Sequence, residues 1–200
     1  MKRLAVLASG GGTDLQSIID AVTRGEIKGE IKVVVSDKED AYALSRAKKH
    51  GIRHEYVKRG ESDTLLSLLD SLRVDYVILA GYLGILPEVV VKRYHNKIIN
   101  IHPSLIPSFC GMGYYGMRVH EAVYKRGVKF TGCTVHFVDE GADTGAIIKQ
   151  VVVEVEEDDT PEIIQQKVLK EEHKLLPHVV GLLCADKVSI VDGRVKIMDK

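Results

Sequence analysis

Short apolar, β-branched runs alternate with stretches of helical periodicity from the first residues onward, and this alternation narrows the possible folds more than any other feature of the chain. Lys2–Ala8 reads as a buried strand and Gly10–Gly12 as a turn. Leu15, Ile18, Ile19 and Val22 then fall at i, i+3, i+4 and i+7, one face of a helix. The same alternation predicts a strand over Ile31–Val35 and a helix over Ala41–His50 stopped by Gly51. A short strand at His54–Val57 and a helix over Ser62–Leu72 follow. Tyr76–Ala80 reads as a strand, Pro87–Tyr94 as a helix and Ile98–Ile101 as a strand. Parallel strands need crossovers, and helical crossovers cover both faces of the sheet they connect.

The later part changes character. Phe109–Gly116, rich in Gly and aromatic residues, reads as a loop, followed by a helix over Met117–Arg126 and a strand over Phe130–Val138. A Gly-flanked turn at Asp139–Gly145 leads to a strand over Ala146–Val155. Pro161 suits the first turn of a long helix running into the 170s. Lys187–Met198 reads as a hairpin around Asp192-Gly193. The expected fold is therefore a three-layer αβα, Rossmann-like domain spanning 1–200, its sheet mostly parallel with antiparallel strands toward the C-terminus.

Lys plus Arg equals Asp plus Glu at 28 each, which argues against a basic nucleic-acid surface. The apolar run at Leu4–Ala8 is too short for a signal peptide, and no stretch approaches a membrane span. Three separated cysteines, Cys110, Cys133 and Cys184, argue against a disulfide framework and for a reducing cytoplasm. Asn is scarce while Lys and Glu are plentiful, a composition common in heat-adapted proteins.

Three segments have the residue types that chemistry needs. Ser9-Gly10-Gly11-Gly12-Thr13-Asp14 joins a strand to a helix, where glycines admit an anion close to the backbone and unpaired N–H groups face it. A dinucleotide site with Asp37 on a ribose fits poorly, because the third glycine of G-x-G-x-x-G falls at Leu15. A P-loop fails for want of Gly-Lys-Ser/Thr. A phosphate site for a smaller ligand remains, with the Asp14 carboxylate either repelling the phosphate or capping the helix. A plain turn is the competing reading.

Asn100 and His102 lie two apart in a strand that Pro103 ends, so both project to one side at its carboxyl end, where open α/β sheets place ligands. An amide N–H and an imidazole N–H make a pair of donors for a developing oxyanion. Asp143, in the Asp139–Gly145 turn, would favour an imidazolium if it reached His102. A zinc pair on a helix is disfavoured because His173 and His178 are five apart. Cys110 is a weaker nucleophile candidate, and the neutral reading of Glu171 and Glu172 is a solvated face.

Residues 9–16, 79–86, 100–107 and 134–145, in that order, resemble the folate-dependent phosphoribosylglycinamide formyltransferases of purine biosynthesis. The resemblance runs from the first strand to the helix carrying Glu172. It implies a formyltransferase fold, cytoplasmic location and 10-formyltetrahydrofolate as co-substrate without a metal. The partners it implies are small molecules rather than nucleic acid or membrane, with monomer and homodimer both open. Asn100, His102 and Asp143 match the family's catalytic trio. Gly10, Gly11, Gly12, Thr13 and Asp14 match the loop for the phosphoribosyl substrate, and Glu172 a residue near its glycinamide end. Leu83, Gly84, Ile85 and Leu86 with Asn100, Asp139, Glu140, Gly141, Ala142 and Asp143 match the folate pocket, to which Arg59 is added.

Three departures stand out: Asp14 where many relatives have Asn, Gly84 where many have Arg, and a longer stretch over Ser108–Val119. A hydrolase passing the formyl group to water, a transferase acting on initiator tRNA and a non-catalytic nucleotide-binding module are the alternatives. The first two usually come with an extra N-terminal or C-terminal domain, respectively.

Overall fold

The computed structural model describes residues 1–198. The first half alternates strictly: β1 (Lys2–Leu7), α1 (Thr13–Thr23), β2 (Gly29–Ser36), α2 (Tyr42–Lys49), β3 (His54–Tyr56), α3 (Ser62–Ser71), β4 (Tyr76–Leu79), α4 (Glu88–Arg93) and β5 (Ile98–His102). Then come α5 (Met117–Arg126), β6 (Phe130–Phe137), β7 (Ile147–Glu154), α6 (Pro161–Cys184), β8 (Val188–Val191) and β9 (Arg194–Ile197). One seven-stranded sheet runs in the order β3-β2-β1-β4-β5-β6-β7, and β8-β9 form a separate antiparallel pair. Pairings among β3, β2, β1, β4 and β5 are parallel, while β6 and β7 join antiparallel. The mostly parallel α/β sheet with antiparallel C-terminal strands is thus present.

Side-chain alternation explains why helices cover both faces. In β1, Leu4 and Val6 join Ile78 and Ile99 under α1 and α6, where Leu15, Ile18, Leu176 and Val179 close the core. Ala5 and Leu7 point the other way and join Val77, Leu79 and Ile98 under Leu65, Leu69 and Val90 of α3 and α4. β1 is flanked by β2 on one side and β4 on the other. This is the switch point at which strand order reverses, and a crevice opens beyond the carboxyl ends.

Several strands end one residue earlier than the apolar runs suggest, although the hydrogen bonding continues. Ala8 N–H still donates to Val35 O at 3.0 Å, and Ala80 N–H to Leu7 O at 2.9 Å. The larger difference is α6, which runs through Pro177 to Cys184 instead of ending in the 170s. An interior proline removes one helical hydrogen bond. Here Pro177 is buried in a helix whose flanking Leu175, Leu176, Val179 and Val180 are also buried, and packing on the sheet sustains it. Among the described residues no helix is long and apolar enough to cross a membrane.

Candidate active site

The strand β5 continues the Ile98 face outward as Asn100 and His102, past the cover of α3 and α4. Antiparallel pairing places Asn100 opposite His136 of β6. The His136 Nδ1 pairs with the Phe137 carbonyl at 2.8 Å, which assigns its proton there and leaves Nε2 as an acceptor. Asn100 Nδ2 donates to that Nε2 at 3.2 Å, so the amide is oriented and its second N–H remains for another partner.

Asp143 comes from the turn between β6 and β7 and completes the group. Its Oδ2 lies 3.6 Å from His102 Nδ1 and its Oδ1 3.5 Å from His136 Nε2. The Gly111 N–H donates to Oδ2 at 2.9 Å, which ties the long Ser108–Val119 stretch to the same carboxylate. Asp143 holds φ 59 and Phe109 φ 50, a region that non-glycine residues enter at a cost. Both strained residues serve His102: Asp143 faces Nδ1, and the Phe109 carbonyl accepts from Nε2 at 2.9 Å.

These partners settle the protonation pattern. Burial works to raise the Asp143 pKa, but His136 and His102, when they carry a proton toward it, and the Gly111 N–H outweigh it and hold the carboxyl below its ordinary value. Burial is also the largest influence on His102, and it lowers that pKa despite the attraction of Asp143 and the Phe109 carbonyl. Asp143 does favour the imidazolium, as expected, but desolvation of His102 outweighs that attraction. Neutral His102 carries its proton on Nε2, engaged with Phe109. Its Nδ1 lone pair faces a carboxylate, an arrangement suited to accepting a proton rather than donating one. Of the two oxyanion donors expected, the structure leaves the Asn100 amide free and the neutral imidazole occupied.

A cavity of about 570 Å³ opens beside this group, within the range of small-molecule sites. Leu79, Leu86, Val91 and Val138 give it apolar walls, and Asn100, His136 and the Asp139–Asp143 turn give it polar ones. Asp139 shapes that turn by accepting from Gly141 N at 3.0 Å and Thr144 Oγ1 at 2.6 Å. Gly84, Ile85 and Leu86 line the cavity together with Tyr82. A Cβ on Gly84 would come within 2.8 Å of the Tyr82 ring, so an aromatic ring fills the space beside Gly84. Leu83 and Arg59 stand outside the lining. The Arg59 guanidinium is committed to Asp37, whose other oxygen accepts from Ser9 Oγ, so Asp37 holds structure rather than a ribose. A larger cavity, about 890 Å³, lies at the opposite end of β1 and β2 and contains none of these groups.

The glycine loop runs from the carboxyl end of β1 into α1. Gly12 has φ 68, and a Cβ there would lie 2.8 Å from Ala43 Cβ, so glycine is required twice over. Space is open above Gly10 and Gly11. Ala43 N–H donates to the Gly10 carbonyl at 3.0 Å and Arg46 Nε to the Gly11 carbonyl at 2.7 Å, drawing both carbonyls toward α2. The first α1 bond is Gln16 N–H to Gly12 O, and no side chain caps the helix, so the N–H groups of Thr13, Asp14 and Leu15 precede the helical ladder.

Asp14 does not act as the cap. It turns inward against α6, where its Oδ1 is buried without a hydrogen-bond partner, 3.7 Å from the equally unpartnered His173 Nε2. Burial pushes Asp14 up to about 6. Glu172 is buried rather than on a solvated face, and burial together with the Asp14 charge drives its pKa well upward.

Among the described residues no group of three His, Cys, Asp or Glu side chains is placed to hold a metal. Cys110 Sγ donates to the Pro107 carbonyl at 3.3 Å, and burial followed by the Asp143 charge raises its pKa, the opposite of nucleophile activation. The residue of this cluster that sequence reasoning missed is His136. Its signal was present: Cys133, Val135 and Phe137 alternate as core, so His136 had to face the other side, the side of Asn100.

A profile of the formyl transferase family matches residues 2–180, and the chain belongs to that family. Its relatives include the phosphoribosylglycinamide formyltransferase of Haemophilus influenzae, 39% identical over 207 residues that cover 97% of this chain and 95% of that protein. The chloroplastic phosphoribosylglycinamide formyltransferase of Vigna unguiculata is 42% identical over 194 residues, covering 94% of this chain and 62% of that longer protein. Glycinamide ribonucleotide transformylase 1 from Symbiobacterium toebii has the same fold, with a TM-score of 0.93 at 38% identity, covering 100% of this chain and 95% of that one.

Proposed function

We propose that this chain transfers the formyl group of 10-formyltetrahydrofolate to the amine of phosphoribosylglycinamide in the cytosol, with residues 1–200 acting as one formyltransferase domain. The carrying observation is the convergence of Asn100, His102, His136 and Asp143 beside a half-apolar cavity, at the same carboxyl edge of the parallel strands from which β1 enters the glycine loop. The cavity receives the folate through Gly84–Leu86 and the Asp139–Asp143 turn. The phosphate of the acceptor docks on the loop from Gly10 to Asp14, and Glu172 meets its amine end.

In this reading Asn100 offers its free N–H to the carbonyl oxygen as that oxygen gains negative charge. Attack by the amine forms the new C–N bond and makes the nitrogen acidic. The His102 Nδ1 accepts that proton, and Asp143 at 3.6 Å stabilises the resulting imidazolium. The same proton then goes to the leaving nitrogen of the carrier as the old C–N bond breaks. His136 acts through Asn100 and Asp143 as a positioning residue. The residues balance the step between them, since one proton leaves the acceptor and one reaches the leaving group.

The test is a product balance with purified protein. Formyl-folate should be consumed slowly alone and orders of magnitude faster with glycinamide ribonucleotide, because binding at a remote phosphate positions the amine. Formylated ribonucleotide and tetrahydrofolate should appear in equal amounts. Rapid release of formate regardless of the ribonucleotide would make water the acceptor.

A further inference from the structure

The two substrate segments meet at one buried hydroxyl. Ser9 lies at the end of β1, its N–H donating to the Gly81 carbonyl at 3.0 Å, and the chain proceeds directly from it into the glycine loop. Its Oγ accepts the Leu83 N–H at 2.8 Å, at the start of the segment that lines the cavity. Because that oxygen accepts from Leu83, its own proton is directed to Asp37 Oδ1 at 2.5 Å. The Asp37 side chain has no solvent exposure, and its second oxygen takes Arg59 Nε from the surface. Burial, together with the Asp37 charge, pushes the neighbouring Tyr82 hydroxyl up to about 12, which keeps that ring neutral beside the carboxylate.

We propose that Ser9 is a positioning residue for both substrates, its backbone setting the phosphate loop while its hydroxyl, locked by Asp37 and Arg59, sets the folate wall from Leu83 onward. Formyl transfer joins atoms held by two separate segments, and catalysis demands that they be placed to within about 0.5 Å. Ser9 is bonded to both segments, so it fixes their separation. Without the hydroxyl, the Leu83 N–H loses its acceptor and buried Asp37 loses a donor, both costly in a dry site. This inference rests on the reading of the cavity as the folate site.

The experiment compares wild type, Ser9→Ala, Ser9→Thr and Arg59→Gln in steady-state kinetics with both substrates. It adds tetrahydrofolate binding at equilibrium and a thermal melt of each protein. Ser9→Ala should raise KM for formyl-folate about ten-fold and lower kcat by a similar factor, consistent with losing one buried hydrogen bond. Ser9→Thr, which keeps the hydroxyl, should recover most of both. Arg59→Gln should shift the folate KM in the same direction by a smaller factor with the acceptor KM nearly unchanged.

If Ser9→Ala melts early but its kinetic constants below the melt equal those of wild type, Ser9 is structural only and the proposal fails. Should Ser9→Ala not fold, Arg59→Gln decides, and an unaltered folate KM overturns the proposal. Wild type that does not bind tetrahydrofolate would instead remove the folate reading itself, and the inference with it.

Discussion

In the proposed function, the formyl-transfer end and the acceptor end of the site are built on different principles. Around His102 most polar groups have hydrogen-bond partners, Nε2 on Phe109, Asn100 on His136 and Asp143 on the Gly111 N–H, and among the described residues there only the neighbouring His120 Nδ1 is buried without one. Around α1 the buried groups conflict, for Asp14 and Glu172 are both acidic and Asp14 Oδ1 and His173 Nε2 are unpaired. Paired groups define one geometry and hold it, which suits bond making. Two carboxyls with raised pKa values instead make the other end sensitive to charge and pH. The proposed roles match this contrast, with preorganisation at the reacting groups and electrostatic tension at the end proposed for the charged substrate.

The sharpest way to break this contrast is to remove a paired group. Asn100→Ala should lower kcat by about 10²–10³, as for loss of one oxyanion donor, in a protein that still folds. His102→Ala and Asp143→Ala should be at least as damaging, and the double variant should lose less than the product of the two. Near-normal turnover in Asn100→Ala would remove the amide from the chemistry. His136→Ala should lower kcat by roughly ten-fold through a released Asn100, and a normal rate there would sever the pairing from catalysis.

Next comes pH. His102 must be neutral to accept the proton, and its pKa is lowered, so kcat should hold as pH drops through 6.5 and decline only below it. The groups facing it are Asp143, which raises its pKa, and His136 and His120, which lower it when charged. His120 itself is pushed down to about 4, chiefly by burial, and is neutral over that range. Asp143→Asn should move the acid limb lower still, measured on the residual activity. A limb that moves upward would contradict the sign.

The acceptor end is tested by Asp14→Asn. Both carboxyls bind their proton more tightly in the folded protein than in the unfolded chain. Stability is therefore fully present below the ordinary carboxylate pKa and is lost as pH rises through about 6 for Asp14. The amide should raise Tm at pH 8 and change little at pH 4, and it should tighten ribonucleotide binding several-fold by removing charge near the phosphate. Equal Tm gains at both pH values would show that charge is not the cause.

The smallest effect is expected at Cys110. With a raised pKa and its thiol donating to Pro107, Cys110→Ser should retain most activity, and rapid quenching should trap no formyl thioester. A formylated Cys110 would replace direct transfer with a covalent route.

Much of this was legible in one dimension because the information is local. Period-two and period-3.6 patterns determined the alternating elements, the sheet class and the positions of Asn100 and His102 on one strand face at its carboxyl end. Glycines between β1 and α1 marked a backbone conformation that side chains resist, and Gly12 confirms it with its φ and its contact with Ala43. Local pattern carries no distance across strands. The pairing of His136 with Asn100, the approach of Asp143 to His102 and the choice of Asp37 for Arg59 all join residues far apart in sequence, and only register and crossover geometry decided them. Nor does a sequence reveal local dielectric. Glu172 sits in a charged stretch yet is buried, and Asp143 beside His102 suggested an imidazolium until burial outweighed attraction. Element and face follow from neighbours in the chain, whereas protonation follows from neighbours in space.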